Sequence, residues 1–522
     1  YVKVEDWRVK ENSTVTYSVG GLILSNSGAV TANYWLSEIY DEEIAEAHRN
    51  ADIHIHDLSM LTGYCAGWSL KQLIQEGLGG ISGKITSAPA AHLSVLCNQM
   101  VNFLGIMQNE WAGAQAFSSF DTYLAPFVKV DNLTYREVKK CIEAFIYGVN
   151  TPSRWGTQAP FSNITLDWTV PADLAELPAI VGGKEMDFKY KDCKKEMDMV
   201  NRAFLEIMIE GDANGRGFQY PIPTYSITRD FDWSDTENNR LLFEMTAKYG
   251  TPYFSNYVNS DMQPSDVRSM CCRLRLDLRE LRKKTGGFFG SGESTGSVGV
   301  VTINMPRIAY LSANKDEFYA RLNHMMDIAA RSLKIKRGVI TKLLNEGLYP
   351  YTKRYLGTFE NHFSTIGLIG MNEAGLNAAW LGKGLEDPKT QQFTKEVLNH
   401  MRERLSDYQE EYGDLYNLEA TPAESTAYRL AKHDRAKWPD IKTAGKEGDT
   451  PYYTNSSHLP VDYTADIFDA LDIQDELQTL YTSGTVFHAF LGEKLPDWKS
   501  AANLVRKIAE NYRLPYYTLS RT

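Results

Sequence analysis

Two adjacent cysteines, Cys271 and Cys272, stand between Met270 and Arg273. A disulfide between chain neighbours forces a strained ring, and a metal needs ligands spaced so that several reach one ion. Sulfur reactivity remains: a thiol placed for redox or radical work, set against a small buried residue in a core. Residues 52–57 alternate so that His54 and His56 share one face of a strand. Alternating histidines can begin a metal site, but no later cluster adds ligands at a clear spacing. The pair therefore reads as orienting a polar substrate or a backbone segment, with no metal assigned.

Two further patterns carry chemistry. Thr421, Ala423, Glu424, Ser425 and Thr426 stand directly before a helical run, Ala427 to Lys432, which adds Arg429. Hydroxyls and unpaired backbone N–H groups at a helix start suit a phosphate; an ordinary N-cap gives the same pattern. Asn304 lies in the apolar run Val300 to Met305. A buried amide there is costly unless hydrogen-bonded, so it must face something polar.

The elements that position these residues follow from periodicity. A helical pattern runs from near Asn33 to Asn50, then the short strand with the two histidines. Residues 89–150 read as mostly helical, with an aromatic and small-residue stretch from Trp111 to Phe127 that suits close helix packing or a subunit interface. Between Gln158 and Ile227 strand-like pieces alternate with a helix at about 192–210, an α/β arrangement. The glycines of 290–296 mimic a dinucleotide loop, but they precede a strand instead of opening a helix, so they read as a connection. Val298 to Met305 is a buried strand, and long helices follow from Lys315 to Leu348. No repeat or linker divides the chain, which reads as one domain over 1–522.

Composition sets bounds. The 522 residues are 43% hydrophobic and carry 66 acidic against 55 basic side chains, net charge -11, which excludes a duplex nucleic acid as partner. Six cysteines without C-x-x-C spacing argue for a reducing cytoplasm. No run approaches the roughly 20 apolar residues of a membrane span, and no membrane partner is expected. The chain opens at Tyr1 without methionine, as a piece of a longer polypeptide would.

Taken in order, Asp52–Leu58, Trp111–Asp121, Pro221–Thr224, Asn259–Met262, Met270–Arg273, Ile303–Arg307, Thr365–Gly367, Thr421–Glu424 and Tyr453–His458 resemble blocks of the anaerobic (class III) ribonucleoside-triphosphate reductases, a glycyl radical family. The resemblance implies an α/β fold: a ten-stranded α/β barrel of two antiparallel half-sheets with a central finger loop, surrounded by helices. It implies that Cys272 is the finger-loop cysteine whose thiyl radical removes the ribose 3′ hydrogen, that Cys65 is the second cysteine, and that Asn304 bonds the sugar hydroxyls or the reductant. Triphosphate would fall on Thr421 to Thr426. Aerobic relatives place a glutamate two residues past the cysteine; here Leu274 stands there. Formate is the reductant the resemblance favours, and a thiol donor is the other option.

The same resemblance implies further partners. Helices around 91–150 would form a homodimer contact and a site for ATP, dATP and other dNTP effectors. After Pro515–Thr518 the family continues into a four-cysteine zinc site and the glycine that stores the radical, and many members begin with an ATP-cone; neither segment is in this sequence. Activation would need an iron–sulfur, S-adenosylmethionine-dependent activase. The rival reading is a glycyl radical acyltransferase resembling pyruvate formate-lyase, which also uses neighbouring cysteines on a finger loop.

Overall fold

The structure, a computed structural model, describes residues 18–152, 158–259, 294–420, 424–463, 466–482, 485–491 and 495–521. Cys271, Cys272 and residues 421–423 lie outside them. In chain order the strands are β1 (Ile53–Ile55), β2 (Cys65–Trp68), β3 (Gln115–Phe117), β4 (Ser162–Leu166), β5 (Pro178–Val181), β6 (Lys184–Lys189) and β7 (Ile222–Ile227). They continue with β8 (Tyr253–Asn256), β9 (Gly296–Asn304), β10 (Phe363–Ile369), β11 (Leu415–Glu419), β12 (Phe487–Leu491) and β13 (Tyr516–Arg521). The chain forms two compact units, one of residues 1–64, 297–346 and 358–485, the other of 65–296, 347–357 and 486–522.

In the first unit β9, β10 and β11 run parallel, with Ile369 opposite Asn304 and Gly367 opposite Glu419. β1 lies antiparallel to β9, His54 facing Thr302. Every residue of β9 is buried, which is what its near-continuous apolar run requires of a parallel strand covered on both faces. The cover is supplied by helices 315–345 and 388–412. Leu322, Met326 and Leu333 from the first, with Phe393, Val397 and Met401 from the second, pack on Ile53, Val301, Ile303, Ile366 and Leu418. Each such side chain contributes about 1.5–3 kcal/mol of burial. Helix 315–345 starts where Asn314 accepts the Glu317 N–H at 2.9 Å, an N-cap that satisfies one of the first orphan donors.

In the second unit β2, β3, β4, β7 and β8 run parallel in that order, β13 pairs antiparallel with β8, and β12 lies parallel to β13. The stretch 89–150 is mostly helical, as its periodicity predicts, with helices at 93–107, 120–130 and 135–150 and β3 as the exception. At three residues it is too short for a period of two to register, and parallel pairing buries both its faces. The aromatic stretch around it is interior: Trp111, Phe117, Phe120 and Phe127 are fully buried. Trp111 donates from Nε1 to Thr352 Oγ1 at 3.0 Å and meets Trp68 edge-on at 6.0 Å.

Candidate functional site

In an open parallel ribbon the strand ends converge on one edge, and ligands bind beyond the carboxyl ends. In the first unit that edge is made by Asn304 closing β9, Ile369 closing β10 and Glu419 closing β11, with residues 421–426 following directly. The helix Glu424–Lys437 begins inside that motif, so Ser425 and Thr426 belong to its first turn and do not precede it. Thr426 is buried and Ser425 half-buried. Thr421 and Ala423 lie outside the described residues.

Asn304 is fully buried and its amide is employed on both sides. Its Oδ1 accepts the Arg307 N–H at 3.2 Å, capping helix 305–311. Its Nδ2 donates to Ala51 O and to Asp434 Oδ2, each at 2.9 Å. Asp434 also receives Arg307 Nε at 2.6 Å and the Tyr453 hydroxyl at 2.6 Å. Burial pushes the Asp434 carboxyl up, while the guanidinium and the three donors pull it back. Arg307 reaches on to Asp52 Oδ1 at 3.0 Å and to Asn50 O. One carboxylate near the C-terminal end of a helix thus joins the end of β9 and, through Asn304 and Arg307, the approach to β1.

His54 and His56 do share a face: their rings meet edge-on at 4.7 Å, and His48 adds a third ring 5.3 Å from His54. His56 Nε2 stands 2.7 Å from Thr302 Oγ1, and His48 Nδ1 accepts the Ile55 N–H at 3.0 Å. Arg429, from helix 424–437, donates to His54 Nδ1 at 3.1 Å, to Ile53 O at 3.3 Å and to His48 O. Burial, then the neighbouring histidines and Arg429, hold His54 well below the ordinary imidazole range. For His56 burial, Lys336 and Arg429 push the value down to about 3. The buried Lys336 amine is itself lowered by desolvation against the pull of Asp57. These are neutral, donor-and-acceptor imidazoles, fit to orient a polar group. Among the described residues no three His, Cys, Asp or Glu side chains could hold a metal ion.

Cys65 opens β2 in the second unit and is fully buried. Where the described chain resumes after 260–293, Gly67 N donates to Thr295 O at 2.7 Å and Gly296 lies against the Cys65 carbonyl. A Cβ at position 296 would overlap that oxygen, so only glycine permits this approach. In the same unit a cavity of about 390 Å³ opens past the ends of β4 and β7, lined by Asp167, Asp173, Ser226, Thr228, Arg229 and Asp230. No sequence motif marks it.

Helix 424–437 therefore brings together His54, Asn304 and the 424–426 turn, through Arg429 and Asp434. Cys65 is placed in the other unit, and Cys272 is outside the described residues. Sequence reading missed Asp434, Tyr453 and Lys336 as site components. The one signal was that Arg307 and Tyr453 fall inside the blocks around Asn304 and His458.

Residues 11–522 match the family described as anaerobic ribonucleoside-triphosphate reductase. The anaerobic ribonucleoside-triphosphate reductase of Haemophilus influenzae is 23% identical over 506 residues, covering 88% of this chain and 67% of that protein. The protein of the same name from Enterobacteria phage T4 is 23% identical over 513 residues, covering 88% and 76%. Among solved structures, the anaerobic ribonucleotide reductase from Thermotoga maritima in complex with dATP and CTP superposes with a TM-score of 0.77 at 21% identity, covering 97% of this chain and 84% of that one.

Proposed function

We infer the chemistry from one premise: this chain belongs to the anaerobic ribonucleoside-triphosphate reductase family. It is an oxidoreductase that converts ribonucleoside triphosphates to 2′-deoxyribonucleoside triphosphates. The observation that carries this is the span of the match, which includes Cys65, Cys271, Cys272, Asn304 and Thr421 to Thr426.

The finer steps are our proposal. Cys272 would give its thiol hydrogen to a glycyl radical, the hydrogen-atom acceptor when present, and so act as a thiyl. The thiyl takes the ribose 3′ hydrogen; S–H and ribose C–H bonds are close enough in strength for a reversible exchange. With the 3′ carbon a radical, the 2′ hydroxyl leaves as water after taking a proton. Loss of water leaves a 3′ ketone with the radical on the 2′ carbon. Cys65 gives a hydrogen atom to that carbon and becomes a thiyl, formate returns a hydrogen atom to Cys65, and the remaining electron with one proton reduces the ketone to a 3′ radical as carbon dioxide leaves. Cys272 finally returns its hydrogen to the 3′ carbon. The sum is one triphosphate, one formate and one proton in, with deoxynucleotide, water and carbon dioxide out.

The residues 421–426 would take the triphosphate at a helix start, and His54 and His56 would orient substrate as neutral imidazoles. Asn304, whose amide is committed to Asp434, Ala51 and Arg307, would act by holding the strand end beside the sugar. The ten-stranded barrel with a central finger loop, the dimer and effector role of helices around 91–150, and the iron–sulfur activase belong to the same proposal. In the Thermotoga protein the bound nucleotides are dATP and CTP; dATP-type effectors and ribonucleoside triphosphate substrates are proposed here. Zinc, proposed for the four-cysteine site that follows in the family, enters no step.

The test is anaerobic turnover of the full-length, activated protein with formate and with a thioredoxin-type donor side by side. Deoxynucleotide formation dependent on formate supports the proposal. Turnover with the thiol alone replaces formate, and none with either donor rejects the scheme.

A further inference from the structure

The cavity past the carboxyl ends of β4 and β7 lies within the second unit, and none of its residues is used by the proposed reaction. It occupies the place where ligands bind to a parallel sheet, and at about 390 Å³ it has the size of a small-molecule site. The carboxylates of Asp167, Asp173 and Asp230 line it against a single guanidinium, that of Arg229. Ser226 adds a different kind of group. It is only 6% exposed, it lines the cavity, and its hydroxyl makes no hydrogen bond among the described residues. A buried hydroxyl ordinarily has a partner, so this one is left for something that enters.

The adjoining wall is held in place before any ligand arrives. Asp121, fully buried, accepts the Asp167 N–H at 2.8 Å and the Trp168 N–H at 2.9 Å, one on each oxygen, and the Thr122 hydroxyl donates to Asp167 Oδ2 at 2.6 Å. Those bonds keep Trp168 at a φ of 66°, which a bulky side chain rarely adopts. The charge of the lining then selects the ligand. An anion, and a triphosphate above all, meets an excess of negative charge. Among the described residues no three acids converge closely enough for a metal ion. An organic cation remains, and a primary ammonium has three N–H donors to share among carboxylates and a hydroxyl, while Val170 and Pro171 give its carbon chain an apolar wall.

We propose that this cavity binds a primary alkylammonium, with Asp167 and Ser226 as its inner partners and the exposed Asp173 and Asp230 at the rim. A free diamine and a lysine side chain share that chemistry. The experiment is calorimetric titration of the full-length protein with butylamine, neutral butanol, 1,4-diaminobutane and Nα-acetyl-lysine amide. Butylamine should bind at least about tenfold more tightly than butanol, and less tightly as salt is added. Asp167→Asn should lose about tenfold for butylamine. Ser226→Ala, which breaks no hydrogen bond in the structure, should lose about threefold, and it decides the matter where Asp167→Asn does not fold. Tighter binding of the diamine than of the lysine amide supports a free diamine, and the reverse order supports a lysine side chain. Equal binding of butylamine and butanol, no binding of any amine, or unchanged butylamine affinity in both variants overturns the inference.

Discussion

Arg429 donates from Nη1 to His54 Nδ1 across 3.1 Å. A guanidinium cannot accept, so His54 must, which fixes it as the neutral tautomer with its proton on Nε2. The strand carrying the two histidines is thereby read by a helix 375 residues away in the chain.

Neutral burial has a pH consequence. His48, His54 and His56 are all held below the ordinary imidazole value, His56 at about 3, and each would titrate near 6.5 when unfolded. Their contribution is complete above about pH 6.5 and is progressively lost as pH falls below it. Buried Asp434 and Glu373, pushed up, act with the opposite sign, so the informative quantity is a difference. Denaturation midpoints from pH 7.5 to 5 should fall less steeply in His56→Gln than in wild type; parallel curves would refute the assignment.

Gly296→Ala should destabilise by about 1–3 kcal/mol or more, because its Cβ would overlap the Cys65 carbonyl and stand 2.8 Å from Ala66 Cα, backbone atoms that cannot yield. Gly338→Ala is the control. It lies inside helix 315–345 with open space where a Cβ would go, so it should gain up to about 1 kcal/mol. Thermal melts of the two variants should move in opposite directions.

Arg307→Ala leaves the Asp434 carboxylate buried beside no cation, a change worth about 3–5 kcal/mol of stability. Combining Arg307→Met with Asp434→Asn removes both charges and should recover part of that loss. Urea denaturation of the single and double variants checks it: additive losses would show that the two residues do not act as a pair.

The two cysteines should separate by isotope. With substrate deuterated at the 3′ carbon, Cys272→Ala in the activated full-length protein should give neither exchange nor product. Cys65→Ala should still activate the 3′ hydrogen yet form no deoxynucleotide. CTP affinity should be unchanged in both, and product formation by either variant would remove that cysteine from its role.

The amino-acid order by itself determined what local rules encode. A period of two put His54 and His56 on one face, a near-continuous apolar run made β9 a strand buried on both sides, and the ordered blocks from Asp52 to His458 identified the family. Short or non-periodic features escaped, as β3 did within a stretch otherwise helical. Only the tertiary structure decided that Asp434, an acid among Lys432, Arg435 and Lys437, is fully buried, or that Asn304 spends its amide on Ala51, Arg307 and Asp434. The Asp434 and Arg307 side chains meet across 127 residues of chain. No periodicity records such a contact, because it exists only once the β9 edge, the approach to β1 and the helix 424–437 have packed and water has been excluded from between them.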